Sequence, residues 1–210
     1  MRWLREQGPP VLIHILALAP LAWLARDMAL GQLTADPIRE TQLRTGRYAL
    51  VLLAVSLAGT PLFTALGFRW LLTLRRLSGL YAFAYAGLHL LNLVWLDYGF
   101  NIPFLWADVV IKRFAIAGLA AFICLAPVAI TSSRGWQKRL GHRWRQWHRL
   151  AYPAALLAAV HFIWQAKIDT RLPWIFTALI IILLIVRLPV FSRVINRVGR
   201  RRKQPTKNNS

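Results

Sequence analysis

The chain has 210 residues, 57% of them hydrophobic and only 16% charged, with ten tryptophans and a formal net charge of +20. A soluble domain of this length cannot hide so much apolar surface, and no basic stripe is interleaved with base-stacking aromatics, so neither a soluble fold nor a nucleic-acid partner fits. The one cysteine, Cys124, excludes an internal disulfide and any zinc or iron–sulfur site built by this chain alone, and no Cys-x-x-Cys-His is present for covalent heme attachment.

A hydrocarbon core about 30 Å thick takes roughly 20 mostly apolar residues to cross. Six segments qualify in chain order: 11–30, 48–67, 78–97, 113–131, 148–166 and 172–189. The first has a basic start like a signal peptide but no small-residue cleavage site, so it is expected to stay as a helix. It carries His14, the third carries His89, the fourth Cys124, and the fifth opens on His148 and carries His161. The expected fold is all-α, a polytopic membrane protein with a six-transmembrane-helix bundle over residues 1–189 and a basic tail over 190–210.

Orientation comes from the basic residues. Of the 27 Lys and Arg, 19 fall at the N-terminus, in the second-to-third and fourth-to-fifth loops, and in the tail. The alternate loops hold the other eight, together with six of the seven acids. Basic loops stay inside, so both termini are expected in the cytoplasm, with the tail and inner loops also placed to meet anionic lipid.

Ionisable side chains at membrane depth cost several kcal/mol unless paired, which makes the histidines the candidate functional residues; the structural alternative is a helix-to-helix hydrogen bond. The third and fifth spans run in the same direction. At 1.5 Å per residue His89 lies roughly 15 Å into its span, and His161 roughly 20 Å beyond His148, so His89 and His161 can face one another and ligate one heme iron. His148 lies nearer the cytoplasm and would serve a second site. Thirteen residues place His148 and His161 on different faces of an ideal helix, and Pro153 between them predicts a kink or a local change of winding. His14 is open between ligand, propionate partner and packing residue, and His142 lies among arginines in a loop. Small residues precede both candidate ligands: Ala82, Ala84, Ala86 and Gly87 before His89, and Ala154, Ala155, Ala158 and Ala159 before His161. They would leave room for a flat macrocycle or simply allow close helix packing.

The stretch Leu74–His89, the run Leu140-Gly-His-Arg-Trp-Arg-Gln-Trp-His148, the segment from His148 to Trp164, and the shorter Ala35-Asp-Pro37 and Thr45-Gly-Arg47 resemble the MsrQ family, formerly called YedZ. The likeness covers nearly the whole chain apart from the tail. It implies a ferric-reductase-like heme-binding membrane subunit of a bacterial methionine sulfoxide reductase system in the inner membrane. It further implies one or two b-type hemes, with His89, His161 and His148 as axial ligands, and FMN as an additional cofactor. Electrons would come from membrane quinol or a cytoplasmic flavin reductase and leave to a periplasmic molybdopterin-containing partner, which performs the reduction. In that family each of two helices usually carries two histidines 13 or 14 residues apart. This chain departs from the pattern, because Arg76 and Arg75 stand at those distances before His89 and leave the partner of His148 open. The chain has no Gly-x-Gly-x-x-Gly and no room for a nucleotide domain, so donor and acceptor are expected to be other molecules. A reading from another class is a small proton-coupled transporter or channel built on the same histidines, and it would be colourless.

Overall fold

The computed structural model describes residues 8–167 and 169–187, and every regular element among them is helical. In chain order these are α1 (Gly8–Ala29), α2 (Pro37–Leu66), α3 (Trp70–Asn92), α4 (Ile102–Ile111), α5 (Arg113–Ile130), α6 (Arg134–Leu140), α7 (Trp144–His148), α8 (Ala151–Gln165) and α9 (Arg171–Val186). One π-helical turn, Leu93–Asp97, prolongs α3, and one 3₁₀ turn, Gly141–Arg143, joins α6 to α7.

Two helices begin well before the apolar runs that announce them. At α2 the Asp36 carboxylate accepts from the Arg39 N–H and Pro37 occupies the first turn, so the helix starts on capping chemistry. Its first turns carry Glu40, Arg44 and Arg47, which an apolar window passes over. Arg44 ties this end to α1, pairing with buried Asp27 at 2.6 Å and with Glu40 at 2.5 Å. Likewise α3 starts at Trp70 and already contains Arg75 and Arg76. Two connectors are helical as well: Asn101 caps α4 through the Phe104 N–H at 3.2 Å, and Ser133 caps α6 through the Trp136 N–H at 3.3 Å.

Four stretches are long and apolar enough to cross a membrane: Pro10–Ala29, Pro37–Leu66, Trp70–Asp97 and Arg113–Ile130. The chain is a multi-pass membrane protein. The fifth and sixth expected spans correspond to shorter helices, α8 with 15 residues and α9 with 16. The fifth is interrupted at Arg149–Leu150, where the backbone makes turn bonds instead of helical ones. Pro153 is the cause, since its ring would collide with the carbonyl four residues back, that of Arg149. The winding change expected near Pro153 therefore falls one turn before it. The end of the sixth expected span and the whole 190–210 tail lie outside the described residues.

The closest pairs are α2 with α3 and α5 with α8; α9 packs on α8 and α2, α1 on α3, and α3 on α5. The bundle is two hairpins side by side with a helix on each flank. Leu50, Leu53, Leu57, Ala82, Leu125, Ala154, Ala155, Ala159 and Ile180 form the core between them. Three alanines from α8 let its backbone approach its neighbours closely. Leu16, Trp23, Ile123, Trp164 and Ile182 point outward, as a lipid-facing surface requires. Charge is segregated by end: the helix ends around Asp27, Asp36, Glu40, Asp97, Asp108 and Asp169 hold the acids. The opposite end holds Arg69, Arg75, Arg76, Arg187 and the basic α6–α7 segment, with no acid among the described residues.

Candidate functional site

His89 lies in the last turn of α3 and His161 in the last turns of α8, both toward the acid-rich end. Their ring centroids are 6.0 Å apart with planes at 85°. Two imidazoles this close, from separate helices, could serve one metal centre.

Each ring is oriented by a backbone carbonyl on the partner helix of its hairpin. His89 Nδ1 donates to the Gln42 carbonyl at 2.9 Å, and His161 Nδ1 donates to the Phe114 carbonyl at 2.7 Å. A carbonyl only accepts, so Nδ1 carries the proton and Nε2 keeps its lone pair, the tautomer an Nε2-ligating histidine needs. In His89 that nitrogen faces the Gln42 side-chain amide at 3.4 Å, and Gln42 Oε1 in turn accepts from Asn92 at 2.8 Å.

Glycine makes these approaches feasible. A Cβ on Gly46 would fall 3.0 Å from two atoms of the His89 ring, and one on Gly118 would fall 2.7 Å from His161 Nδ1. Each glycine lies one helical turn after the carbonyl that holds the same ring. The two hairpins thus present the same device: Gln42, Gly46 and His89 in one, Phe114, Gly118 and His161 in the other. Both carbonyls precede their histidines by 47 residues. The correspondence extends along the walls, from Leu53 to Leu125, Ala82 to Ala154 and Ala86 to Ala158, always at one constant interval.

Between the hairpins lies a cavity of about 390 Å³, lined by both histidines, both glycines, Leu50, Leu53, Ala82, Ala86, Phe122, Leu125, Ala154 and Ala158. That is the size and apolar character of a cofactor site with a few convergent polar groups. Arg47 and Lys112 are its basic residues, next to Asp108 and Tyr98. Lys112 and then Tyr98 donate to the Asp108 carboxylate and hold it below the ordinary carboxylate range. Among the described residues no three His, Cys, Asp or Glu converge as metal ligands. Two histidines would complete a metal site only if another group supplied the remaining ligands.

The other sequence candidates lie elsewhere. His148 ends α7, half-buried, its ring centre 3.9 Å from that of Trp144 with the planes tilted by 34°, and with Nδ1 3.3 Å from the Trp144 carbonyl and Nε2 3.5 Å from the Ser132 hydroxyl. It does not line the cavity. His14 is exposed and bonds the Tyr81 hydroxyl at 2.7 Å. Arg76 is exposed, whereas Arg75 is half-buried in a separate recess. Sequence reasoning passed over Gln42, Phe114 and Gly118, met Gly46 only inside a motif, and met Arg47 there and in the count of basic residues. The matching intervals between carbonyl, glycine and histidine were the available signal.

Residues 12–159 match the family described as ferric reductase like transmembrane component, a range that includes His89 and His148 and stops just before His161. Among curated proteins the chain is 40% identical over 185 residues to the protein-methionine-sulfoxide reductase heme-binding subunit MsrQ of Rhodospirillum rubrum, covering 88% of this chain and 89% of the relative. The proteins of the same description from Herminiimonas arsenicoxydans and Xanthomonas campestris pv. campestris strain 8004 are 41% and 39% identical. Those matches cover 84% and 82% of this chain, and 82% of each relative. No solved structure matches.

Proposed function

The chain belongs to the MsrQ family of ferric-reductase-like transmembrane components, and from that membership we propose that it carries electrons across the bacterial inner membrane on b-type heme held by His89 and His161. The observation that carries this reading is the pair of intramembrane histidines on separate helices, 6.0 Å apart at one cavity, each with Nδ1 tied to a carbonyl. Heme bound there would supply a one-electron carrier at membrane depth.

The chain's own residues do the holding. The Gln42 and Phe114 carbonyls fix both imidazoles with Nε2 available, and their electron density makes the rings more basic ligands. Gly46 and Gly118 leave space for the rings, while Leu50, Leu53, Phe122 and Leu125 give the cavity apolar walls. Arg47 and Lys112 offer cations to the two carboxylates of a heme. The relatives are described as heme-binding subunits of a protein-methionine-sulfoxide reductase, which supports a reductase as acceptor; the family resemblance implies that this acceptor is periplasmic and molybdopterin-containing, and that membrane quinol or a cytoplasmic flavin reductase is the donor. With both termini in the cytoplasm, the His89–His161 pair lies in the periplasmic half, on the acceptor's side.

Replacing His89 or His161 by alanine should abolish the low-spin signal of this site, read as heme content and reduced-minus-oxidised spectra on variants confirmed to insert. Full heme retention in either variant would end the pairing. A wild-type protein with no visible absorption would return the chain to a proton-coupled transporter.

A further inference from the structure

At the opposite end of the bundle a smaller cavity, about 130 Å³, lies where α2, α3, α8 and α9 meet. Arg75 and Arg187 both line it, together with Thr60, Thr64 and Tyr152. Arg187 donates from Nε to the Leu57 carbonyl at 3.1 Å, and from one terminal nitrogen to the Ser56 carbonyl and the Thr60 hydroxyl, each at 3.2 Å. Its guanidinium also lies 5.9 Å from the centre of the Tyr152 ring. Arg75 is set against α2 by close helix contact, since a Cβ on Gly59 would fall 2.6 Å from its own Cβ. Among the described residues neither arginine has an ion pair; the pairs present join Arg26, Arg44 and Lys112 to acids at the other end.

The chain cannot readily repair this. Apart from Glu6, which lies outside the described residues, every acid sits at the far end of the bundle, and residues 188–210 contain no Asp or Glu. Two guanidinium groups share a half-buried recess at the edge of a low-dielectric medium, where like charges repel and desolvation is costly. Tyr152 and the carbonyls offset part of that cost but carry no charge. A bound oxyanion turns the repulsion into attraction, and arginine's planar fork suits phosphate oxygens. The recess is a third of the volume of the histidine cavity, sized for a phosphate rather than a macrocycle. It opens where the last apolar helix ends at Val186, the level at which headgroups meet transmembrane helices.

We propose that Arg75 and Arg187, with the Thr60 hydroxyl, bind a phosphate oxyanion, supplied either by the headgroup of an anionic phospholipid or as free phosphate. The test uses the full chain in detergent, with phosphatidylglycerol, phosphatidylcholine and inorganic phosphate as separate probes, read by native mass spectrometry and thermal unfolding. Phosphatidylglycerol should bind and raise the unfolding temperature, phosphatidylcholine should not, and Arg187→Gln or Arg75→Gln should weaken the effect at least ~tenfold, equivalent to ~1.4 kcal/mol. Arg69→Gln, on the exposed start of α3, should bind as the wild type does. Thr60→Val keeps both charges and should weaken binding a few-fold, which covers the case of an arginine variant that fails to fold. Inorganic phosphate reproducing the shift without lipid identifies the free ion as the source. Equal binding of both probes by wild type and arginine variants overturns the proposal, as does heme loss in Arg187→Gln with lipid binding unchanged, which would place a heme carboxylate there.

Discussion

The α2–α3 and α5–α8 hairpins are equipped alike near the acid-rich end and differently at the other. At the first end each provides a carbonyl, a glycine one turn later and a histidine from the returning helix. Thirteen residues before that histidine the second hairpin has His148, while the first has Arg76, with Arg75 beside it. The backbone differs too: α3 runs unbroken through this region, whereas Pro153 splits α7 from α8 and leaves His148 tilted against Trp144. The contrast shows what a paired site demands. Two histidines at one depth are only part of it; each also needs an acceptor to fix its tautomer and a missing side chain to admit its ring. Where one hairpin carries a permanently charged guanidinium in place of an imidazole, the symmetric device ends.

The glycines give the sharpest way to break that equivalence. Gly118→Ala puts a methyl 2.7 Å from His161 Nδ1, so the ring must move and lose its Phe114 bond, whereas at Gly46 the gap is 3.0 Å. We expect Gly118→Ala to cost ~1–3 kcal/mol, about fivefold to 150-fold in heme retention, and Gly46→Ala less than ~1 kcal/mol. Heme content after detergent extraction measures both, and equal losses would mean that the second hairpin is not the tighter of the two. His148→Ala tests the other end. It should leave the His89–His161 low-spin signal in place while slowing reduction from the cytoplasmic side, followed by stopped-flow spectra; complete loss of the signal would merge the two ends into one site. The smallest effect concerns the basic connector. Neutralising Lys138, Arg139 and Arg143 together should slow reduction by a soluble donor a few-fold and flatten its salt dependence. An unchanged rate with correct insertion would leave these charges only their part in topology.

Much of this was legible in the sequence. Apolar runs located the helices, and counting residues from the helix ends set His89 and His161 at matching depth. Helix starts were harder to read, because α2 and α3 begin on capping and charged residues that a hydropathy window excludes. The helical connectors α4 and α6 owe their ends to Asn101 and Ser133, short-range signals easily lost among loop residues. Gly46 and Gly118 were hidden for another reason: their role is fixed by a ring on a helix 43 residues further on, and nothing local marks them. Arg75 and Arg187 are more than a hundred residues apart and become neighbours only when α9 folds back on α2. For His148, Pro153 announced a change of winding in the sequence, and with the break at Arg149–Leu150 its ring lies outside the cavity.

The tethering of His89 and His161 also bears on the order in which the molecule is built. A buried imidazole without a partner would wait on iron to settle its orientation and would penalise the empty bundle. Here both rings have carbonyl acceptors from their own hairpins. On the proposed heme reading, translation, insertion and helix packing would run to completion first, and the cofactor would meet two histidines already oriented. On the same reading His89 Nε2 would become free once the Gln42 amide let go, a contact that at 3.4 Å is weak enough to give up.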